Sequence, residues 1–244
     1  MSNALILVPA RYGSSRFPGK PLAKINEIPM IQYVVQNCQT SGFDYAVVTD
    51  NDEIEAFVKS ISGNVVRVDD DVTTGSARIA LAYERYFSNK NYDYIVNVQG
   101  DEPLLKGETI KGIVSEHEKT NYDIFTGVKR RLSSEEAFSN PNVVKCIFSE
   151  VSKQCLYFSR ASVPFRRDDG PFDWYQHIGI YCYKPEALKK FVELPEGYFE
   201  DLEKLEQLRA LENNLTLGAI ELKINLIGVD TPADIHKIEG ALSE

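Results

Sequence analysis

The chain has 244 residues, 43% hydrophobic and 26% charged, the make-up of a globular protein with a sizeable core. Its formal net charge of −9 argues against a nucleic-acid partner, because phosphate backbones call for a surplus of Lys and Arg. No run of about 18 apolar residues occurs and the first residues carry no basic leader, so neither a membrane helix nor export is expected and the location reads as cytoplasmic.

Short β-branched runs alternate with helical patterns in the first half. Residues 4–9 read as a buried strand that leads into a glycine-rich loop. A helix is expected from Met30 to Thr40, ending near Gly42, and a strand at 45–49. Another helix is expected from Asp52 to Ile61, then a strand at 65–68, a helix from Ser76 to Phe87 and a strand at 94–98. This alternation predicts an α/β, Rossmann-like fold with a mostly parallel sheet. Beyond about residue 120 the runs at 123–129, 143–148, 154–158 and 177–183 read as strands with little helix between them, an antiparallel extension of the sheet. Helices are expected at 202–212 and 232–241. The leucines 202, 205, 208 and 211 form a core stripe on the first of these, beside which Glu206 and Arg209 could be merely solvated. One domain spanning 1–244 is the expectation. Cys38, Cys146, Cys155 and Cys182 have no CxxC spacing and read as reduced, buried thiols. His117 and His236 read as surface residues.

The first loop carries the densest chemistry. Arg11-Tyr-Gly-Ser-Ser-Arg-Phe-Pro-Gly-Lys20 follows the first strand directly, and ligands of parallel α/β sheets bind beyond strand carboxyl ends. Gly13 and Gly19 let backbone N–H groups approach an anion, Arg11 and Arg16 offer bidentate donors, and Lys20 offers a mobile charge. The dinucleotide fingerprint is absent. Five residues separate Gly13 from Gly19 and a proline follows Lys20, so this is not an ATPase phosphate loop either. Chemistry on a triphosphate needs a divalent cation, and two aspartates stand where one could be held. Asp101 follows an apolar strand in Gln99-Gly100-Asp101. Asp230 lies in Gly228-Val-Asp-Thr-Pro232, where either it or Thr231 could instead cap the last helix.

Taken in order, these motifs form a pattern. Pro9-Ala-Arg with Ser15 to Leu22, Asn97 to Pro103, Tyr157 to Ala161, His177 to Tyr181, Leu205 to Arg209 and Gly228 to Pro232 resemble the 3-deoxy-manno-octulosonate cytidylyltransferases over essentially the whole chain. The resemblance implies that CTP and a 2-keto sugar acid give the CMP-sugar and pyrophosphate for lipopolysaccharide synthesis, with Mg2+ as cofactor and a homodimer as the assembly. It assigns Arg11, Arg16 and Lys20 to the triphosphate and Ser14 to the nucleotide, with Lys20, Arg11 and Asp101 as the catalytic set. Pro9, Ala10, Arg78, Gln99 and Gly100 would surround the nucleotide, and Asp101 with Asp230 would bind magnesium. Arg160, His177, Tyr181, Glu206 and Gln207 would hold the sugar acid. Residues 1–120 would then be the nucleotide half, and 121–244 the sugar and dimerisation half.

Three positions depart from the family pattern. Ala77 replaces an acid in Thr74-Gly-Ser-Ala-Arg78, Leu226-Ile227 replaces a Gly-Thr pair, and Phe199-Glu200 replaces Leu-Glu. A related branch uses the 8-amino analogue of the sugar, to which the lost acid could correspond. The competing readings are a cytidylyltransferase for another acid such as sialic acid, a transferase for a neutral hexose, and a non-catalytic nucleotide sensor. Arg160 argues against the hexose, and the two aspartates against the sensor.

Overall fold

The computed structural model describes residues 2–13, 17–224, 228–229 and 231–242. In chain order it contains β1 (Ala4–Ala10), β2 (Lys24–Ile25), β3 (Ile28–Pro29), α1 (Met30–Ser41), β4 (Asp44–Thr49), α2 (Asp52–Ser60), β5 (Val65–Arg67), α3 (Gly75–Ala82), β6 (Tyr94–Asn97) and α4 (Gly107–Glu118). There follow β7 (Ile124–Leu132), β8 (Lys145–Phe148), β9 (Cys155–Ser159), β10 (Asp173–Tyr183), α5 (Pro185–Glu193), α6 (Tyr198–Glu203), α7 (Gln207–Glu212), β11 (Leu217–Glu221) and α8 (Pro232–Leu242). The chain divides into two compact units, Met1–Val114 with Asn225–Glu244, and Ser115–Ile224.

In the first unit β6, β1, β4 and β5 lie side by side, all parallel. Ala4 to Val8 are fully buried, as the continuous apolar run of a strand covered on both faces requires. Gly42 ends α1 in the left-handed region at φ 72°, and Asn51 caps α2 through its side chain. A small cluster of Ile25, Met30, Val229 and Ile238, with Phe17 packed against it, fastens the end of the first loop beside the segment that leads into α8.

The second unit is mainly antiparallel. β7 pairs antiparallel with β10, β10 with β8 and β8 with β9, while β11 runs parallel to β7. The mixed α/β class, mostly parallel first and antiparallel later, is the one expected. β10 starts four residues before the run read at 177 and contains a bulge: Ile178 faces Gly127 and Tyr181 faces Thr126, so Gly179 and Ile180 have no partner on β7.

Two expectations are corrected here. The helix expected over 202–212 is two helices, because Lys204 turns into the left-handed region at φ 50° and stops α6. Leu202 consequently stands 62% exposed, while Leu205 and Leu208 are buried. Arg209 is no solvated residue either: its guanidinium grips Glu200 at 2.6 and 2.7 Å, bidentate, and joins α7 to α6. The second correction is His117, which is fully buried. It extends the apolar stripe Ile110, Ile113 and Val114 on α4, a helix the sequence reading passed over. Its Nε2 lies 2.9 Å from the Tyr122 carbonyl, its Nδ1 lies 3.3 Å from Cys182 Sγ, and its ring stacks on Phe125. All four cysteines are buried and unpaired, as expected.

Burial pushes His117 down from 6.5 to about 4. Above pH 6.5 the imidazole is neutral in folded and unfolded chains alike. Between 6.5 and 4 only the unfolded chain takes up the proton, so stability falls with falling pH, by about 1.4 kcal/mol per pH unit for this group. An NMR titration of the native protein is expected to hold the His117 ring in its neutral form down to about pH 5. A midpoint near the value of a free imidazole contradicts the packing described.

Candidate active site

The first unit gathers its chemistry at the carboxyl ends of its parallel strands, where such sheets bind ligands. β1 ends at half-buried Pro9 and buried Ala10, and the first loop starts with Arg11, exposed, whose guanidinium reaches the Val72 carbonyl at 3.4 Å. The Gly19 N–H closes this loop on the Tyr12 carbonyl at 2.9 Å, and Gly19 takes φ 70°, a conformation natural to glycine. The turn aims Lys20 inward. Its ammonium lies 2.5 Å from an Asp101 carboxylate oxygen and 2.7 Å from the Val229 carbonyl. Lys20 is 15% exposed and Asp101 32%, so the pair is partly shielded but reachable.

Asp101 owes its place to Gly100. A Cβ at Gly100 would lie 2.9 Å from the Pro9 carbonyl, so only glycine lets this turn approach β1 so closely. Gln99 donates to Asn97 Oδ1 at 3.2 Å, and the end of β1 is closed from another side by Gly75, whose Cβ would meet Pro9 Cγ at 3.2 Å. Arg78, read as a nucleotide neighbour, is 2% exposed. It pairs with Asp50 at 2.9 Å and donates to the Val68 carbonyl, while its Nε has no hydrogen-bond partner among the described residues. Burial lowers its pKa. Ser14, Arg16 and Asp230 lie outside the described residues. Thr231, which precedes α8, donates its N–H and hydroxyl to Asp234 at 3.0 and 2.9 Å, the reciprocal arm of a capping box.

In the second unit, Arg160 closes the end of α6. Its Nε donates to the Glu203 carbonyl at 2.6 Å, Nη2 to the Lys204 carbonyl at 3.2 Å and Nη1 to the Pro141 carbonyl at 3.0 Å. Among the described residues, two of the five guanidinium N–H groups are left over for another acceptor. Beneath it Lys145, fully buried, donates to the carbonyls of Asn140, Val143 and Arg160 at 2.7–2.9 Å. Nothing in the spacing of the motifs marked this lysine; the one available signal was a charge inside the apolar run Val143 to Ile147.

His177 is half-buried beside the β10 bulge, its ring edge-on to Phe158 and 5.5 Å from Tyr181. Desolvation pushes His177 down to about 3 and raises Tyr181 far above the usual phenol range, so both stay neutral near pH 7. Tyr181, Glu206 and Gln207 line one small cavity with Ile124, Tyr183, Phe191 and Leu217. The structure thus brings three of the five residues that the resemblance assigns to the sugar acid together around one cavity, with His177 against Tyr181. Arg160 is anchored separately at the α6 terminus.

The Ala77 departure has a local structural meaning. Thr74 caps α3 by accepting from the Ala77 N–H at 3.1 Å, which makes Ala77 the third helical residue. An acid there would reach back to the Thr74 N–H and complete a capping box, so alanine leaves half of one. Ala77→Glu is expected to raise stability in urea unfolding by roughly 0.5 kcal/mol with nucleotide affinity unchanged. An unchanged urea midpoint together with a shifted CTP affinity would assign the missing acid to ligand chemistry instead.

A family model described as cytidylyltransferase matches residues 5–223. Among curated proteins, the 8-amino-3,8-dideoxy-manno-octulosonate cytidylyltransferase of Shewanella pealeana is 41% identical over 246 residues, and that of Shewanella putrefaciens 39% over 245, each alignment covering 99% of both chains. Among solved structures, CMP:2-keto-3-deoxy-manno-octonic acid synthetase complexed with CTP superposes with a TM-score of 0.90 at 31% identity, covering 99% of each chain.

Proposed function

The chain belongs to the cytidylyltransferase family, and we propose that it couples CTP to a 3-deoxy-octulosonate sugar acid, giving the CMP-sugar and pyrophosphate. The observation that carries this reading is the Lys20–Asp101 pair, a cation and a carboxylate 2.5 Å apart at the carboxyl ends of parallel strands. Phosphoryl chemistry is carried mostly by positioning and charge, and this pair supplies one group for phosphate oxygens and one for a divalent ion.

In this reading the anomeric hydroxyl of the sugar acid attacks the α-phosphorus and pyrophosphate leaves. Lys20 and Arg11, with Arg16 from the same loop, bind the triphosphate oxygens. Gly100 and Gly75 let their turns close on Pro9 at the end of β1, and Arg78 holds the strand ends together through Asp50 and Val68. Asp101 suits magnesium: its carboxylate is one-third exposed and carries a cation already, in the ammonium of Lys20. Asp101, with Asp230 by resemblance, would hold the ion, which when bound supplies neutralisation of phosphate charge. The two spare N–H groups of Arg160 match a sugar carboxylate, and neutral His177 and Tyr181 match uncharged hydroxyls.

Between the two sugars, the 8-amino form is favoured, since full-length relatives at 39–41% identity bear that name while the CTP-bound synthetase is 31% identical. Pyrophosphate release with CTP and magnesium is expected with either octulosonate, with the higher kcat/KM for the 8-amino form. Asp101→Asn keeps the acceptor for Lys20 and is expected to lower turnover by roughly a thousandfold with the fold intact. Near-normal turnover in that variant sinks the assignment of Asp101, and a clear preference for the 8-hydroxy form sinks that of the sugar.

A further inference from the structure

The Thr126 hydroxyl stands at the centre of the β10 bulge. Thr126 is fully buried, and its Oγ1 lies 2.7 Å from the Ile180 carbonyl, 3.0 Å from the Ile178 carbonyl and 3.1 Å from His177 Nε2. A hydroxyl has one hydrogen to give. If it were given to the histidine, two carbonyl oxygens would face the lone pairs of Oγ1 at 2.7 and 3.0 Å with no hydrogen between them, a buried repulsion. If it goes to the nearer Ile180 carbonyl and is shared with that of Ile178, the remaining contact is a hydrogen bond on one condition: His177 Nε2 must carry the hydrogen and donate it to Oγ1. The ring is neutral, so Nδ1 then holds a lone pair, and it has no protein partner among the described residues.

We propose that Thr126 is a positioning residue that locks His177 in the Nε2–H tautomer, so that its Nδ1 accepts a hydrogen bond from a hydroxyl or ammonium group of the sugar acid. This rests on the reading that places His177 at the sugar acid, and it narrows that reading to one direction of donation. The same hydroxyl ties both bulge carbonyls, so the turn that sets the ring and the bond that sets its proton are made by one side chain. His177 N–H adds a third fixed point, donating to the Val144 carbonyl at 2.9 Å.

The chain has three histidines, so ring 15N–1H correlation spectra are readily assigned with His177→Gln as the reference. The native protein is expected to show His177 as the Nε2–H tautomer. Thr126→Ser, which keeps the hydroxyl, is expected to retain that signature and native kinetics. Thr126→Val, which keeps the branched shape, is expected to lose it and to raise KM for the sugar acid about tenfold, with kcat and KM for CTP little changed. A native Nδ1–H tautomer, or a Thr126→Val variant with an unchanged tautomer, overturns the proposal. If the tautomer changes in Thr126→Val and the sugar-acid KM does not, the ligand contact is overturned. The independent kinetics of Asp101→Asn then show whether the cytidylyl transfer reading survives. Should Thr126→Val fail to fold, the native tautomer and the Thr126→Ser kinetics still decide.

Discussion

An ammonium and a carboxylate that neutralise each other in a partly shielded place must be delivered by two chain segments far apart in sequence, and the first unit is arranged around that requirement. Lys20 arrives through a left-handed glycine, with Phe17 set into the small core cluster three residues earlier. Asp101 arrives through a glycine pressed so close to the Pro9 carbonyl that no other residue fits. Val229, in the same cluster, offers the carbonyl that orients the ammonium. Apolar packing thus fixes charge geometry, and an incoming triphosphate would meet a cation whose position is already set.

The second unit meets a different demand with the same economy of parts. Two of its cations are turned on backbone carbonyls: Lys145 takes three, and Arg160 takes three more. A buried charge is costly unless its hydrogen-bonding capacity is filled, so its three carbonyls are what make Lys145 tolerable inside. In return the cations tie the 140–143 segment, the end of β9 and the end of α6 to one another. Arg209 and Glu200 weld α6 to α7 through a carboxylate instead, at 12% and 8% exposure, where removing either partner would cost about 3–5 kcal/mol. The Arg209–Glu200 pair thereby anchors α7, the helix whose start supplies Glu206 and Gln207 to the cavity that also contains Tyr181.

Much of this was legible from residues alone. The α/β alternation, the parallel strands of the first half and the placement of Lys20 and Asp101 at strand ends followed from periodicity and glycine position. The break after Glu203 was not legible, because the three-residue leucine spacing is satisfied as well by two short helices as by one; what stops the helix is a left-handed lysine whose carbonyl is taken by Arg160. His117 was misread because its helix was missed, and without the helix its place on the Ile110 stripe was invisible. The role of Thr126 could not be read from sequence at all, since a threonine in a strand is ordinary and the bulge that makes it matter is a pairing between distant strands.

The central claim is nucleophilic attack by the anomeric oxygen on the α-phosphorus of CTP, and isotope labelling tests it most directly. The sugar acid carrying 18O at its anomeric hydroxyl, incubated with CTP and magnesium, should yield a CMP-sugar whose bridging oxygen is 18O, with unlabelled pyrophosphate, as read by mass spectrometry and 31P NMR. Label in the pyrophosphate, or CTP turnover that leaves no CMP-sugar, would contradict the account.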